Sequence, residues 1–180
     1  MLSITPHPKV KNLWHLKRND ATIGTLDIKH AHGNVATAHI ADEVWHFRKL
    51  KILQNEYAIY KEKNDAPAAI FNSGWLNKGG VHLGSDTFHW KPIYKKWTHW
   101  TWYDNANHNR LEIIAHQRPL GMYATIVDHT NETFTRDEMF LTLLGWYMIL
   151  TQNRDITEHI ASGIHLLAHA FTNPIQRVKD

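Results

Sequence analysis

The chain has 180 residues, 43% of them hydrophobic, which predicts one folded domain with a substantial core and argues against disorder. Its 20 Lys and Arg against 17 Asp and Glu give a formal charge of +3, which permits an anionic partner without requiring one. The absence of Cys excludes disulfides, thiolate metal sites and Cys nucleophiles, and it suits a reducing, cytoplasmic location. No apolar run reaches the roughly 20 residues of a membrane span.

The chain is rich in histidine, with 15 His residues. Because an unperturbed imidazole titrates near pH 6.5, the protein is expected to become strongly cationic below about pH 6. Most of these residues are scattered along strand-like sequence, so a general compositional bias is the simplest interpretation.

Taken in chain order, turn signals recur about every ten residues, as in sandwiches and barrels. Examples are Asn19–Asp20, Gly79–Gly80, Asp104–Asn107 and Arg118–Pro119. Between the turns, apolar side chains alternate with a period of two, which predicts short β-strands. In residues 97–103 both faces carry bulky aromatic residues, which indicates either a covering element or an aromatic ligand surface outside the core.

A single long apolar helix follows the strands. Thr135 and Glu138 have the spacing of a capping box, and residues 139–150 are apolar on every side. About 15 residues of helix span roughly 22 Å, which is enough to cross a small barrel. We therefore predict an all-β-dominated fold: a closed antiparallel β-barrel around a buried hydrophobic helix at about residues 136–151.

A second, amphipathic helix is predicted at residues 155–172, beginning at Asp155 and ending before Pro174. Its apolar stripe indicates that it packs on an outer surface. The predicted organisation is one domain, 1–180, with the barrel and central helix at 10–152 and this surface helix appended. The stripe also offers a homodimer interface.

One compact metal-like pattern lies on that second helix. Glu158, His165 and His169 fall on one helical face, and the two His residues at i, i+4 have the spacing that lets both reach one ion. A small metal-dependent enzyme using these three residues is therefore one hypothesis, and a solvated polar face is the other. No other cofactor is predicted.

Catalytic signatures are otherwise lacking in the sequence. There is no G-x-S-x-G, no phosphate-binding glycine loop, and no carboxylate pair outside turns and helix starts. Residues 91–102, KPIYKKWTHWTW, have the mixture of basic and aromatic residues found in single-strand stacking platforms. The modest overall charge argues against a nucleic-acid partner, so a non-enzymatic protein that does not bind nucleic acid is expected.

The order of these features resembles the tubby C-terminal-like superfamily, which includes LURP-one-related proteins and phospholipid scramblases. The resemblance lies in WHLKRNDATIGTLDI, which is similar to an opening hairpin, in TWYDNANHNRLEIIAHQ, which is similar to a late hairpin, and in EMFLTLLGWYMIL, which is similar to the central helix. It implies a twelve-stranded barrel enclosing a hydrophobic helix. For some members it also implies association with membranes or phosphoinositides.

The chain departs from this pattern in its functional residues. It has no Cys for a palmitoyl anchor, no acidic calcium-binding run and no basic cluster that matches the phosphoinositide site. Only the fold is therefore carried over from the resemblance.

The leading functional hypothesis is a non-enzymatic module, peripheral to the membrane, that binds anionic phospholipid headgroups or a membrane-associated protein. Its predicted anion-binding residues are Arg48, Lys49, Lys95 and Lys96, all at basic strand ends. The homodimer and the metal-dependent enzyme remain as alternatives.

Overall fold

The computed structural model describes residues 1–29, 34–50, 55–62, 64, 66–73, 79–93, 98–118, 121–130 and 133–152. Within them the chain forms twelve β-strands followed by one helix, α1, at residues 136–152. The strands are β1 Leu2–Pro6, β2 Leu13–Arg18, β3 Ala21–Ile28, β4 Val35–Ile40, β5 Glu43–Lys49, β6 Asn55–Lys61, β7 Ala69–Ser73, β8 Gly79–Leu83, β9 Asp86–Pro92, β10 His99–Tyr103, β11 Asn109–Arg118 and β12 Gly121–Asp128.

The twelve strands form one closed antiparallel barrel. Each strand pairs with its neighbours in the chain, and β1 closes the barrel by pairing with both β2 and β12. The predicted closed antiparallel barrel is confirmed. It begins earlier than predicted, because β1 lies before residue 10.

Of two turns predicted from the sequence, one is present in the structure and the other is not. Asn19 and Asp20, with φ of 47° and 70°, form the two-residue hairpin between β2 and β3 that matches the twist of antiparallel strands. The predicted turn at Gly79–Gly80 is wrong, because both glycines lie inside β8. The hairpin that follows β8 turns at Gly84, with φ of 61°.

Inward-facing side chains alternate with outward-facing ones along the strands, and they form one core cluster with α1. On β10, Trp100 and Trp102 are buried in this core, while Tyr103 faces outward. The ring of His89 stacks on Tyr103 at 5.2 Å, and the Lys91 ammonium lies 4.1 Å from its centroid. Side chains of the neighbouring strand thus partly cover the outer aromatic face of β10.

The helix begins with the predicted capping box. The Glu138 backbone N–H donates to Thr135 Oγ1 at 3.3 Å, and the Thr135 N–H donates to Glu138 Oε2 at 2.7 Å. The prediction of a helix from residue 136 is therefore confirmed, and the reciprocal bonds satisfy two backbone donors of its first turn.

Every residue from 140 to 149 is buried, on all sides of the helix. The polar Thr142 and Thr151 satisfy their hydroxyls within the helix, by donating to carbonyl oxygens one turn back. Four residues of the helix contact six strands. Leu143 lies beside Gly24 of β3, Phe140 packs with Trp45 and Phe47 of β5, and Tyr147 packs with Phe47 and with Tyr57 of β6. Gly145 lies beside Trp90 of β9, Trp102 of β10 and Ile113 of β11. The second predicted helix, 155–172, lies outside the described residues.

Candidate functional site

An up-and-down barrel places successive connections at alternate ends. Segments 19–20, 41–42, 62–68, 84–85 and 104–108, together with 129–135 before α1, join elements at one end. Segments 7–12, 29–34, 50–54, 74–78, 93–98 and 119–120 join strands at the other. The topology therefore groups connections that are far apart in sequence.

Charge is sharply divided between these two groups of segments. Among the described residues of the first group there are four carboxylates and no Lys or Arg, so we call that end the acidic end: Asp20, Asp42, Glu62 and Asp104. The described residues of the second group include three Lys and no Asp or Glu, so we call that end the basic end: Lys9, Lys11 and Lys29. The small net charge of the chain conceals this separation.

Lys9, Lys11 and Lys29 of the basic end are exposed, and so is Arg48, one residue before the end of β5 on the same side of the barrel. Hydrogen bonds hold their segments side by side: the Ile28 N–H donates to the Asn12 carbonyl at 3.0 Å and the Lys49 N–H to the Asn34 carbonyl at 2.9 Å. The cations therefore form an arc across the ends of β2 to β5.

Two exposed apolar side chains lie among these cations. Val10, between Lys9 and Lys11, is 48% exposed, and Leu50, at the end of β5, is 41% exposed. Within the described residues, none of the four cations of the arc forms an ion pair with a carboxylate. The combination is an open, cationic surface with apolar side chains that extend from it.

The predicted anion-binding residues are distributed unequally. Arg48 is exposed on the outer face of β5, whereas Lys49 faces inward and is 6% exposed, so the two do not share a surface. Lys95 and Lys96 lie outside the described residues. The strands that flank them, β9 and β10, meet at the basic end, where the Ile93 N–H donates to the His99 carbonyl at 3.0 Å.

Sequence reasoning left Lys9, Lys11 and Lys29 out of the site. The signal was present as a Lys-x-Lys hairpin followed by a Lys just after β3. Recognising it required knowing that both segments lie at the same end of a closed barrel.

Two carboxylates on neighbouring strands bring negative charge close to the cationic arc. Asp27 on β3 and Glu56 on β6 are each within two residues of a strand terminus at the basic end. Both are half-buried on the strands themselves. The connecting segments therefore remain the cationic part of this end.

At the acidic end, Lys61 and Arg136 are paired with Glu43. Glu43 accepts hydrogen bonds from Lys61 Nζ, from Trp45 Nε1 at 3.2 Å and from Arg136 at 3.1 Å, beside a surface pocket of about 270 Å³. The pKa of Glu43 is below its ordinary value, mainly because of the hydrogen bond from Lys61. The charge of Lys61, the hydrogen bond from Trp45 and the charge of Arg136 lower the pKa further, while burial acts in the opposite direction. This network ties the first turn of α1 to β5 and β6.

A second pocket at the acidic end, of about 300 Å³, is lined by Asp86, Asp104 and Arg110 among others. The backbone N–H groups of His108 and Ala106 donate to Asp104 Oδ1, both at 2.9 Å, and the His108 bond is the main cause that lowers the pKa of the Asp104 carboxyl. The charged residues that line the first pocket sum to zero, and those that line the second sum to one negative charge, so neither pocket favours an anion. An anionic ligand is therefore better suited to the basic end.

Metal binding finds no support in the described residues, where no three His, Asp or Glu side chains are grouped to hold an ion. The predicted ligands Glu158, His165 and His169 lie outside the described residues, as does the apolar stripe of the predicted homodimer interface. Both alternatives stay predictions.

No protein-family model, curated protein or solved structure matches this chain. Among the described residues, no helix has the length and apolar character needed to cross a bilayer.

We expect acid to weaken the Glu43 network. Because the folded-state pKa of Glu43 is lowered, its contribution to stability is fully present above its ordinary pKa of 4.5 and is lost as the pH falls through the folded-state value. Urea unfolding at about pH 6 and pH 3 should show a smaller fall in the free energy of unfolding for Glu43→Gln than for the native sequence. An equal fall in both proteins would contradict this role of Glu43.

Proposed function

We propose that this protein is a non-enzymatic module that docks on membranes containing anionic lipids through its basic end. The observation that carries the proposal is the separation of charge between the ends. Exposed Lys9, Lys11, Lys29 and Arg48, which form no ion pair with any carboxylate the structure describes, lie near exposed Val10 and Leu50 in the chain. Cations near an anionic surface contribute about 1 kcal/mol each, and apolar side chains add affinity by leaving water.

We further infer that α1 passes through the barrel lumen. Gly145 lies about 160° around the helix axis from both Leu143 and Tyr147, and the contacts on these two sides of the helix reach different strands of the barrel. A helix in that position occupies the lumen in which a carrier would hold its ligand. Binding then takes place on the outer surface, which favours a docking module over a carrier.

The fold also bears on the superfamily resemblance. We propose membership of the tubby C-terminal-like superfamily because twelve strands in a closed barrel, followed by an apolar helix, are the features that the resemblance implies. The docking proposal does not depend on this membership.

A lipid surface suits the basic end better than a free anion does. The cations are spread along an arc of four strand ends, and none of them lines the two acidic-end pockets or the pocket of about 380 Å³ between β1 and β12. Such a distributed arrangement gives little affinity for one small anion. It matches a charged plane, where each Lys or Arg contributes separately.

The first test is co-sedimentation with phosphatidylcholine vesicles, with and without phosphatidylglycerol. Lys9→Gln, Lys11→Gln and Lys29→Gln together should weaken binding to the anionic vesicles by roughly 100-fold at low salt, and binding should also weaken as salt rises. Lys49 is left unchanged in this variant, because it is buried and its replacement would perturb folding.

A charge-compensated variant distinguishes the basic end from net charge. Lys9→Gln with Lys11→Gln is combined with Asp20→Asn and Glu62→Gln, two exposed carboxylates of the acidic end, so that the formal charge stays at +3. We expect this variant to bind as weakly as the Lys9, Lys11 double variant. Binding equal to that of the native protein would show that net charge alone is recognised and would overturn the docking face.

A further inference from the structure

The connection 7–12, which carries Lys9 and Val10, is organised by one imidazole. His7 Nδ1 accepts hydrogen bonds from the backbone N–H groups of Lys9, at 3.1 Å, and Val10, at 2.8 Å. The backbone N–H of His7 donates to the Leu13 carbonyl at 2.7 Å and closes the loop. The side chain of His7 thus shapes the part of the basic end that presents these two residues.

This arrangement requires a neutral imidazole. Since Nδ1 accepts two bonds, its proton must be on Nε2. Protonation of Nδ1 would replace the acceptor with a donor directed at two backbone N–H groups, and both hydrogen bonds would be lost. The loop around Lys9 and Val10 would then lose the contacts that fix its shape.

The neighbourhood of His7 is cationic. The His15 ring, on β2, packs against it edge-on at 5.0 Å, Lys17 follows on the same strand, and Lys9 and Lys11 flank it in the loop. Burial, then the charges of His7 and Lys17, lower the pKa of His15. The carboxylate on the adjoining strand β3 is Asp27, which is in register with Leu13.

We propose that His7 is a proton-sensitive switch: the neutral imidazole orders the connection 7–12, and the protonated imidazole loosens it. As regulation of the basic end this inference rests on the proposed docking function, but the switch itself is a property of the loop. Acid then has two opposite effects on membrane binding. The other histidines add positive charge, while protonated His7 disorders the Lys9–Lys11 segment.

His7→Asn is a matched variant. An Asn Oδ1 is attached at the same position as Nδ1 and accepts from the N–H groups two and three residues later, as in an Asx-turn, but it does not titrate. On the full chain, hydrogen exchange of the Lys9 and Val10 amides is measured at about pH 7.5 and about pH 5 and corrected for intrinsic rates. Protection should fall about fivefold in the native protein at the lower pH and stay constant in His7→Asn. Unchanged protection in the native protein would overturn the switch.

The second readout is the ratio of the two proteins' affinities for phosphatidylglycerol-containing vesicles, in which the effects of the other histidines cancel. The affinity of His7→Asn relative to the native protein should rise about fivefold from pH 7.5 to pH 5. A constant ratio with changing amide protection would overturn the coupling to docking and leave the switch. If neither protein bound vesicles at either pH, docking and coupling would both be refuted, and the amides alone would decide the switch.

Discussion

Gly145→Val is expected to prevent α1 from reaching its place among the strands and to abolish cooperative folding. A Cβ atom at this position would lie 2.7 Å from Ile113 Cδ1, 2.9 Å from Trp90 Cζ3 and 3.0 Å from Trp102 Nε1. The two indole rings are fully buried and cannot move aside. Valine adds two further carbons, so its cost should exceed the ~1–3 kcal/mol typical of overpacking.

For the milder change Gly145→Ala, whether stability rises or falls shows whether helix propensity or crowding is the larger effect. In an exposed helix this change would stabilise the protein by about 1 kcal/mol, because alanine is the better helix former. Against Ile113, Trp90 and Trp102 the overpacking cost of ~1–3 kcal/mol should exceed that gain. Thermal unfolding should therefore show a fall of a few degrees for Ala and loss of the folded state for Val. A higher melting temperature for Ala would refute the enclosed helix.

Gly84→Asn is the control for these variants. Gly84 has φ of 61°, a conformation that Asn tolerates, and a Cβ there meets no atom within 4 Å. Its melting temperature should stay close to that of the native protein, which would assign the effect at residue 145 to crowding.

The parts of the fold that were predictable from sequence depend on local chemistry. The capping box at Thr135 and Glu138 and the apolar run after it determine the helix without reference to the barrel. Alternation and turn residues indicated the barrel in the same way. β1 was missed because five residues ending in Pro6, with Pro8 close behind, give a weak strand signal.

Gly79 shows where local rules mislead. A Gly pair is typical of a turn, but Gly79 lies within β8. The position needs glycine because a Cβ there would lie 2.1 Å from the Asn72 carbonyl oxygen and 2.6 Å from the Phe71 ring. The requirement is a close approach between β7 and β8, which only the assembled sheet reveals.

The candidate site was predictable only in part, for a similar reason. Arg48 and Lys49 are adjacent on a strand, and the period of two already places them on opposite faces. Grouping Lys9, Lys11 and Lys29 depends on which connections share an end, and that requires the complete order of strands. Charge separation between two ends is therefore a property of the topology rather than of any motif.

Glu138→Ala should destabilise the protein by about 3 kcal/mol, since it removes one side of a buried ion pair. Glu138 is 3% exposed, and its Oε1 accepts from Arg110 at 3.3 Å while its Oε2 accepts from the Thr135 N–H and hydroxyl. The Arg110 side chain is 32% exposed and recovers some hydration, which keeps the cost at the lower end of the usual range. The melting temperature should fall by roughly 10 °C.

Glu138→Gln distinguishes the charge from the cap. Its amide oxygen still accepts from Thr135, so only the pairing with Arg110 is lost, and the cost should be about half that of the alanine variant. Asp137→Asn, an exposed change one residue earlier, is the control and should lie within about 0.5 kcal/mol of the native protein. Equal effects of Gln and Ala would mean that the ion pair alone matters and the cap contributes nothing.

Glu138→Gln also separates the effect on stability from the effect on membrane docking. Glu138 anchors α1 at the acidic end, whereas the proposed membrane surface lies at the opposite end of the barrel. Below its melting temperature, Glu138→Gln should therefore bind anionic vesicles as the native protein does. Weakened binding with intact folding would show that the acidic end contributes to recognition, and the docking surface would have to be extended beyond Lys9, Lys11 and Lys29.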